Sequence, residues 1–118
     1  MEDLQSKVDR LEFYVGLLRN IAQNPDEFSL LDWVIAEKLN ENQYDQLMEV
    51  LKKANHSLMK QKETGSGDIL SLQELSTHIA EVLAIENAQL NEKKVEHVIR
   101  NAAKLPGFHL FHHYVEQL

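Results

Sequence analysis

From Leu4 to Ala22 the apolar residues fall at Leu4, Val8, Leu11, Val15, Leu18 and Ala22, in alternating steps of four and three. This is a heptad seam with leucine at d and mostly valine at a, a choice that favours two parallel helices. A helix packed within its own domain uses the same spacing, so periodicity leaves both arrangements open. Lys7 at g and Glu12 at the following e are placed to pair across a parallel dimer. Tyr14, Leu17 and Ile21 add a second apolar strip confined to the later half. The expectation is a first half that is exposed or meets another chain, and a later half enclosed on several sides.

The remainder of the chain reads as further helices around this one. At 118 residues it suits one domain, 1–118, large enough to bury a core without staples. Apolar content of 43% and charged content of 26% are globular values. A net charge of −7 suits poorly a protein that grips phosphate backbones over a wide face. With no cysteine, disulfides, thiol nucleophiles and thiolate metal sites are excluded. The opening Met1-Glu2-Asp3-Leu4-Gln5 is acidic and amphipathic rather than a signal sequence, and no apolar run approaches the roughly 20 residues of a membrane span. A cytoplasmic location is the expectation.

Capping signatures divide the chain. Asn24-Pro25-Asp26-Glu27 predicts the start of a second helix, carrying Phe28, Leu31, Val34, Ile35 and Leu39 with Leu30 and Trp33 widening the stripe. Asn40 and Gln43 open a third, with Tyr44, Leu47, Met48, Leu51, Leu58 and Met59 inward and Lys52, Lys53, Lys60 and Lys62 on the solvated side. Thr64-Gly65-Ser66-Gly67 is a connector lacking the lysine of a phosphate loop. Ser71 with Glu74 starts a fourth helix, buried through Leu72, Leu75, Ile79, Val82 and Leu83. The pattern falters at Ala84-Ile85-Glu86-Asn87, and Asn91 is expected to cap a fifth helix bearing Val95, Val98, Ile99 and Ala102. Leu39-Asn40-Glu41 and Leu90-Asn91-Glu92 echo one another, as a duplication or as reuse of a good helix start. Leu105-Pro106-Gly107 breaks the fifth helix, and Phe108 to Leu118 forms a short sixth with Phe108, Phe111, Val115 and Leu118 inward. The fold class is all-α, five or six helices in a small bundle with an antiparallel core.

Groups capable of chemistry are few. His109, His112, His113 and Glu116 share an arc of about 100° on the last helix and are the candidate metal ligands, set against a plain polar outer face. His56, His78 and His97 fall on three separate helices, and Ser76-Thr77-His78 points its hydroxyl and imidazole apart. No nucleophile with a base, paired carboxylates or glycine-rich phosphate cradle is recognisable, so no enzyme is expected, and no cofactor. Residues 75–104 imitate a helix-turn-helix, with Lys93, Lys94, Arg100, Asn101 and Lys104 on the second helix, so the alternative functions are a small DNA-binding regulator or a histidine-based metal-binding protein acting through the C-terminal helix. The 84–91 connection is longer than the usual turn, and Glu92 and Glu96 would meet the same phosphates.

The segments Leu11-Glu12-Phe13-Tyr14 with Leu17-Leu18, Phe28 to Leu39 ending in Val34-Ile35-Ala36-Glu37-Lys38-Leu39, Gln89-Leu90-Asn91-Glu92-Lys93, and the Gly107-Phe108 junction resemble the YhaI-like family of small helical proteins of unknown function from Bacillus-type bacteria. The resemblance spans nearly the whole chain, while the histidine-rich tail departs from the family's pattern. It implies an all-helical, self-associating fold and brings no activity or catalytic residue. The resulting expectation is a non-enzymatic scaffold or protein-interaction module, a homo-oligomer and first of all a dimer, joined through Leu4, Val8, Leu11, Val15, Leu18 and Trp33.

Overall fold

The computed structural model describes residues 3–84 and 86–118. The acidic opening at Met1-Glu2 and the faltering position Ile85 lie outside the described residues. Helices follow in the order α1 (Leu4–Gln23), α2 (Ser29–Ala36), α3 (Glu41–Thr64), α4 (Leu72–Leu83) and α5 (Ala88–Ala102). A 3-10 turn (His109–Phe111) then runs into the single-turn α6 (His112–Val115). Among the described residues there is no strand, so the all-α expectation holds.

Asp3 starts α1, its Oδ1 accepting from the Ser6 N–H at 2.7 Å. The inward residues are Leu17, which is buried, with Phe13, Tyr14 and Ile21 half-buried. The Tyr14 hydroxyl donates to the Leu39 carbonyl at 2.8 Å, and the Phe13 ring meets Tyr44 at 5.3 Å. Residues 3–9 are all exposed, so the first two turns project past the globule. The molecule measures 50 × 34 × 20 Å, and its 15.0 Å radius of gyration exceeds the roughly 13–14 Å of a compact chain this long.

The second helix differs from its sequence expectation at both ends. Asn24 accepts from the Glu27 N–H at 3.2 Å as predicted, but the turn it caps closes once, from Phe28 N–H to the Asn24 carbonyl, and α2 proper begins only at Ser29. At the other end α2 stops at Ala36 instead of reaching Leu39. Lys38 adopts a left-handed φ of 58°, Lys38 N–H bonds to the Ile35 carbonyl and Leu39 N–H to the Val34 carbonyl. This six-to-one and five-to-two pair is a Schellman stop, and it turns Leu39 back into the core.

Both bonds of the predicted Asn40–Gln43 capping box are present, at 2.8 and 3.0 Å. The α3 face then buries Leu47, Leu51, Ala54, Asn55 and Leu58, while Met59 stays 42% exposed. Gly65, at φ 67°, ends the helix in a conformation that costs a residue with a Cβ. Ser71 caps α4 through Glu74 N–H at 3.0 Å, and Leu75, Ile79 and Leu83 are buried. The start of α5 corrects the sequence reading: Asn87, not Asn91, is the cap, accepting from Leu90 N–H at 3.0 Å. Asn91 sits one turn inside the helix, its own N–H already bonded to the Asn87 carbonyl. The apparent echo with residues 39–41 therefore has no structural counterpart, since Leu39 is buried and Leu90 exposed.

The closing segment winds more tightly than expected. Phe108, Phe111 and Tyr114 recur every three residues, the period of a 3-10 turn, and all three are buried. Their rings meet edge-on at 5.5 and 5.2 Å. Tyr114 thus takes the inward place assigned to Val115 and Leu118; Val115 is half-buried and Leu118 41% exposed. The Tyr114 hydroxyl donates to the Leu70 carbonyl at 2.7 Å, and Asn55 Nδ2 holds the Gly107 carbonyl at 3.0 Å. The tail is thereby tied to α3 and to the stretch leading into α4.

Candidate functional site

Among the described residues, five of the eight large hydrophobic side chains left exposed lie on the outer face of α1. Leu4, Val8, Leu11, Val15 and Leu18 are exposed by 78, 39, 59, 51 and 50% respectively. At 100° per residue, the centre of this seam lies roughly 120° around the helix from the inward face of Phe13, Tyr14, Leu17 and Ile21. The helix therefore carries two apolar faces, and its own chain covers one. The later half is enclosed on that single side only, which corrects the expectation of enclosure on several: Val15 and Leu18 remain half exposed. A chain covers only what its neighbours reach, and α2 is the helix packed most extensively on α1. Lys7 and Glu12 are both exposed beside the seam. Ala22, the last seam position, is exposed as well.

Trp33, grouped with the seam from sequence, is half-buried in a cleft of about 190 Å³. The cleft is shared with Glu37, Lys38, Leu39, Gln43, Leu83 and Lys94. Glu37 and Lys94 form an ion pair across it, joining α2 to α5. The indole is thus seated among residues of its own chain.

His109, His112, His113 and Glu116 are all exposed. Among the described residues no three histidine or acidic side chains converge as a metal ion would require. The four side chains sit on one 3-10 turn and the single α turn that follows, all on the solvent side. His113 instead packs its ring edge-on to Tyr114 at 5.2 Å.

The basic residues of 93–104 are dispersed in the same way. Lys94 is taken up by Glu37, Arg100 is held by Glu96 at 2.8 Å, and Asn101 accepts from the Ser29 hydroxyl at 3.0 Å while donating to the His97 carbonyl. Lys93 and Lys104 are exposed. His56, His78 and His97 lie exposed on α3, α4 and α5, and Thr77 Oγ1 donates to the Gln73 carbonyl rather than toward His78.

A feature that sequence reasoning passed over is the groove between α4, α5 and the closing residues, about 600 Å³ in volume. Its signal in the sequence is a run of small side chains (Ser76, Ala80, Ala88) on the two facing helices.

The family described as "Protein of unknown function (DUF1878)" matches residues 1–104. The chain belongs to this family. The DUF1878 match takes in the α1 seam and the caps that open α1 to α5, and stops short of the Pro106-Gly107 break and the histidine tail. The Leu11–Tyr14, Phe28–Leu39 and Gln89–Lys93 segments lie within it, and the Gly107-Phe108 junction lies outside. The chain is similar to "Uncharacterized protein YqxJ" of Bacillus subtilis (strain 168), 36% identical over 50 residues. That similarity covers 42% of the chain and 42% of the relative's length. No solved structure matches the DUF1878 chain. Neither description names an activity, so no catalytic residue is carried over. Among the described residues no helix is long and apolar enough to cross a membrane.

Proposed function

We propose that this DUF1878 protein is a non-enzymatic, cytoplasmic helical module that works by self-association through α1. The carrying observation is the second apolar face: five seam residues between Leu4 and Leu18, at a and d positions, stand 39–78% exposed while the neighbouring strip, with Leu17 at its centre, is built into the core. A second copy suits that face. Leucine at d with valine at a is the packing of two parallel strands, and Lys7 at g then reaches Glu12 at e of the other copy. Transferring each half-exposed leucine from water into such a contact contributes roughly 1 kcal/mol or more. Within the family we place the chain with the YhaI-like proteins, on the Leu11–Tyr14, Val34–Leu39 and Gln89–Lys93 segments.

Sedimentation and light scattering at tens of micromolar test the proposal. The expected result is a dimer for the natural sequence and a monomer for Leu11→Glu. Leu11 is 59% exposed and belongs neither to the core nor to the residues packed against it, so circular dichroism of the variant is expected to stay helical. A natural chain that sediments as a monomer at these concentrations, unchanged by Leu11→Glu, overturns the reading.

A further inference from the structure

The α1 seam is walled on one flank and open on the other. At 100° per residue, Tyr14 and Ile21 lie about 40° and 60° around the helix from Leu18, both at heptad position g. Both are half-buried against the chain's own core, and the Tyr14 hydroxyl donates to the Leu39 carbonyl at 2.8 Å. On the other flank Gln5, Glu12 and Arg19 stand at position e, and all three are exposed. Whatever covers the seam therefore meets the globule along g, and the e residues are the ones that reach outward across the contact.

In a parallel pair of such helices, each g position lies beside the following e of the other chain. That sets Glu12 of the second copy beside Lys7, opposite charges together, and Arg19 of the second copy beside Tyr14. An antiparallel pair centred on Leu11 brings e beside e instead, and Glu12 then faces Glu12. Juxtaposed like charges oppose that arrangement, so charge selects the parallel one and with it the meeting of Arg19 and Tyr14. Tyr14 suits an arginine. Its hydroxyl is turned inward to Leu39, so what it offers outward is ring, and Ile21 continues the apolar surface along the same flank. A guanidinium stacks flat on an aromatic face while its methylenes cover apolar surface beside it.

We propose, on the reading that a second copy covers this face, that Arg19 of each copy stacks on Tyr14 of the other. The interface then passes beyond the α1 seam onto the flank that the globule holds. The contact occurs twice in a two-fold pair, fixes the two helices parallel and sets both globules at the same end of the seam.

Sedimentation equilibrium of the full-length chain and its variants measures the contact. Arg19 is exposed and belongs neither to the core nor to the residues packed against it, so Arg19→Ala is expected to keep its helix content. It is expected to weaken the dimer about tenfold, two stacked contacts being lost per pair. Lys93→Ala, an equal loss of charge at an exposed site on α5, is expected to change the dissociation constant by less than about twofold. In Tyr14→Leu, which removes the ring but keeps an apolar side chain in the strip, Arg19→Ala is expected to have no further effect. Orientation is read separately. The chain has no cysteine, so Leu4→Cys carries a single thiol. At a concentration where that variant sediments as a dimer, a short bismaleimide is expected to join the two copies, whose Leu4 positions adjoin in a parallel pair and lie about 20 Å apart in an antiparallel one. A natural chain that sediments as a monomer removes self-association and this contact together. A dimer that is indifferent to Arg19→Ala, weakens equally with Lys93→Ala, still responds to Arg19→Ala without the Tyr14 ring, or is not joined through Leu4→Cys overturns the Arg19 contact and leaves self-association standing.

Discussion

Four residues show how local backbone and burial set stability independently of any partner. Gly16 lies mid-helix in α1, and a Cβ built there meets nothing within 4 Å. Glycine's excess freedom in the unfolded chain is therefore a cost with no steric return, and Gly16→Ala is expected to raise stability by about 0.5–1 kcal/mol in urea titration. Lys38 is the converse case, a residue with a Cβ held at φ 58°. Lys38→Gly removes that strain and is expected to gain a similar amount, about 0.5–1 kcal/mol; a loss would mean that the lysine stem packs against the Trp33 cleft strongly enough to outweigh it. Tyr114 is fully buried, and burial pushes its phenol above the ordinary tyrosine range, with the Glu74 carboxylate adding to the rise and the Ser57 hydroxyl opposing it. The unfolded phenol ionises first as pH rises, so the stability this group contributes is whole below about pH 10 and falls beyond it. Tyr44 is raised by burial and by Asp45 and behaves alike. The difference between natural chain and Tyr114→Phe, measured as urea midpoints at pH 9 and pH 11, is expected to shrink at the higher pH.

Among the elements, α5 separates what a motif promises from what a fold uses. Asn87 and Asn91 are both followed at suitable distance by amphipathic sequence, yet only Asn87 has the extended backbone of a cap, at φ −74° and ψ 112°. Asn87→Ala is therefore expected to cost about 1 kcal/mol, and Asn91→Ala to be neutral within about 0.5 kcal/mol or stabilising, since Asn91 Oδ1 is buried with no hydrogen-bond partner and alanine is the better helix former. The opposite ranking in urea titration would restore Asn91 as the cap. The sequence misled here for a physical reason. Capping depends on where the chain leaves the preceding helix, and α4 ends at Ala84 in a left-handed turn that brings Asn87 into register four residues early. At Asn40–Gln43 and Ser71–Glu74 the same motif was legible and both helices begin where it places them. The α1 seam was equally legible, and its exposure was foreseen for the first half but not for Val15 and Leu18.

At the scale of the molecule the tail is integral to a core whose other members, Leu105 apart, come from residues within the DUF1878 match. Phe108, Phe111 and Tyr114 lie beyond residue 104 yet are among the buried residues that α3 and α5 pack against. Removing a buried aromatic costs about 3–5 kcal/mol, and three together exceed much of the 5–15 kcal/mol that holds a domain of this size. A chain ending at Lys104 is expected to lose its cooperative thermal transition by circular dichroism. A sigmoidal melt at a similar midpoint would show that residues 3–104 close a core unaided. The elongated outline, by contrast, comes from the projecting turns of α1, which contribute no described residue to that core before Phe13.

Local sequence determined the helical class, two of the interior helix caps, the glycine stop at Gly65 and the existence of a seam on α1, because each rests on residues within about two turns of one another. Only the tertiary structure decided which of α1's two apolar strips the chain keeps for itself, that Tyr114 rather than Leu118 turns inward, that the four C-terminal candidate ligands do not converge, and that a groove opens between α4 and α5. Those outcomes depend on which distant surface happens to lie opposite, and a one-dimensional pattern carries the period of a face without carrying what meets it.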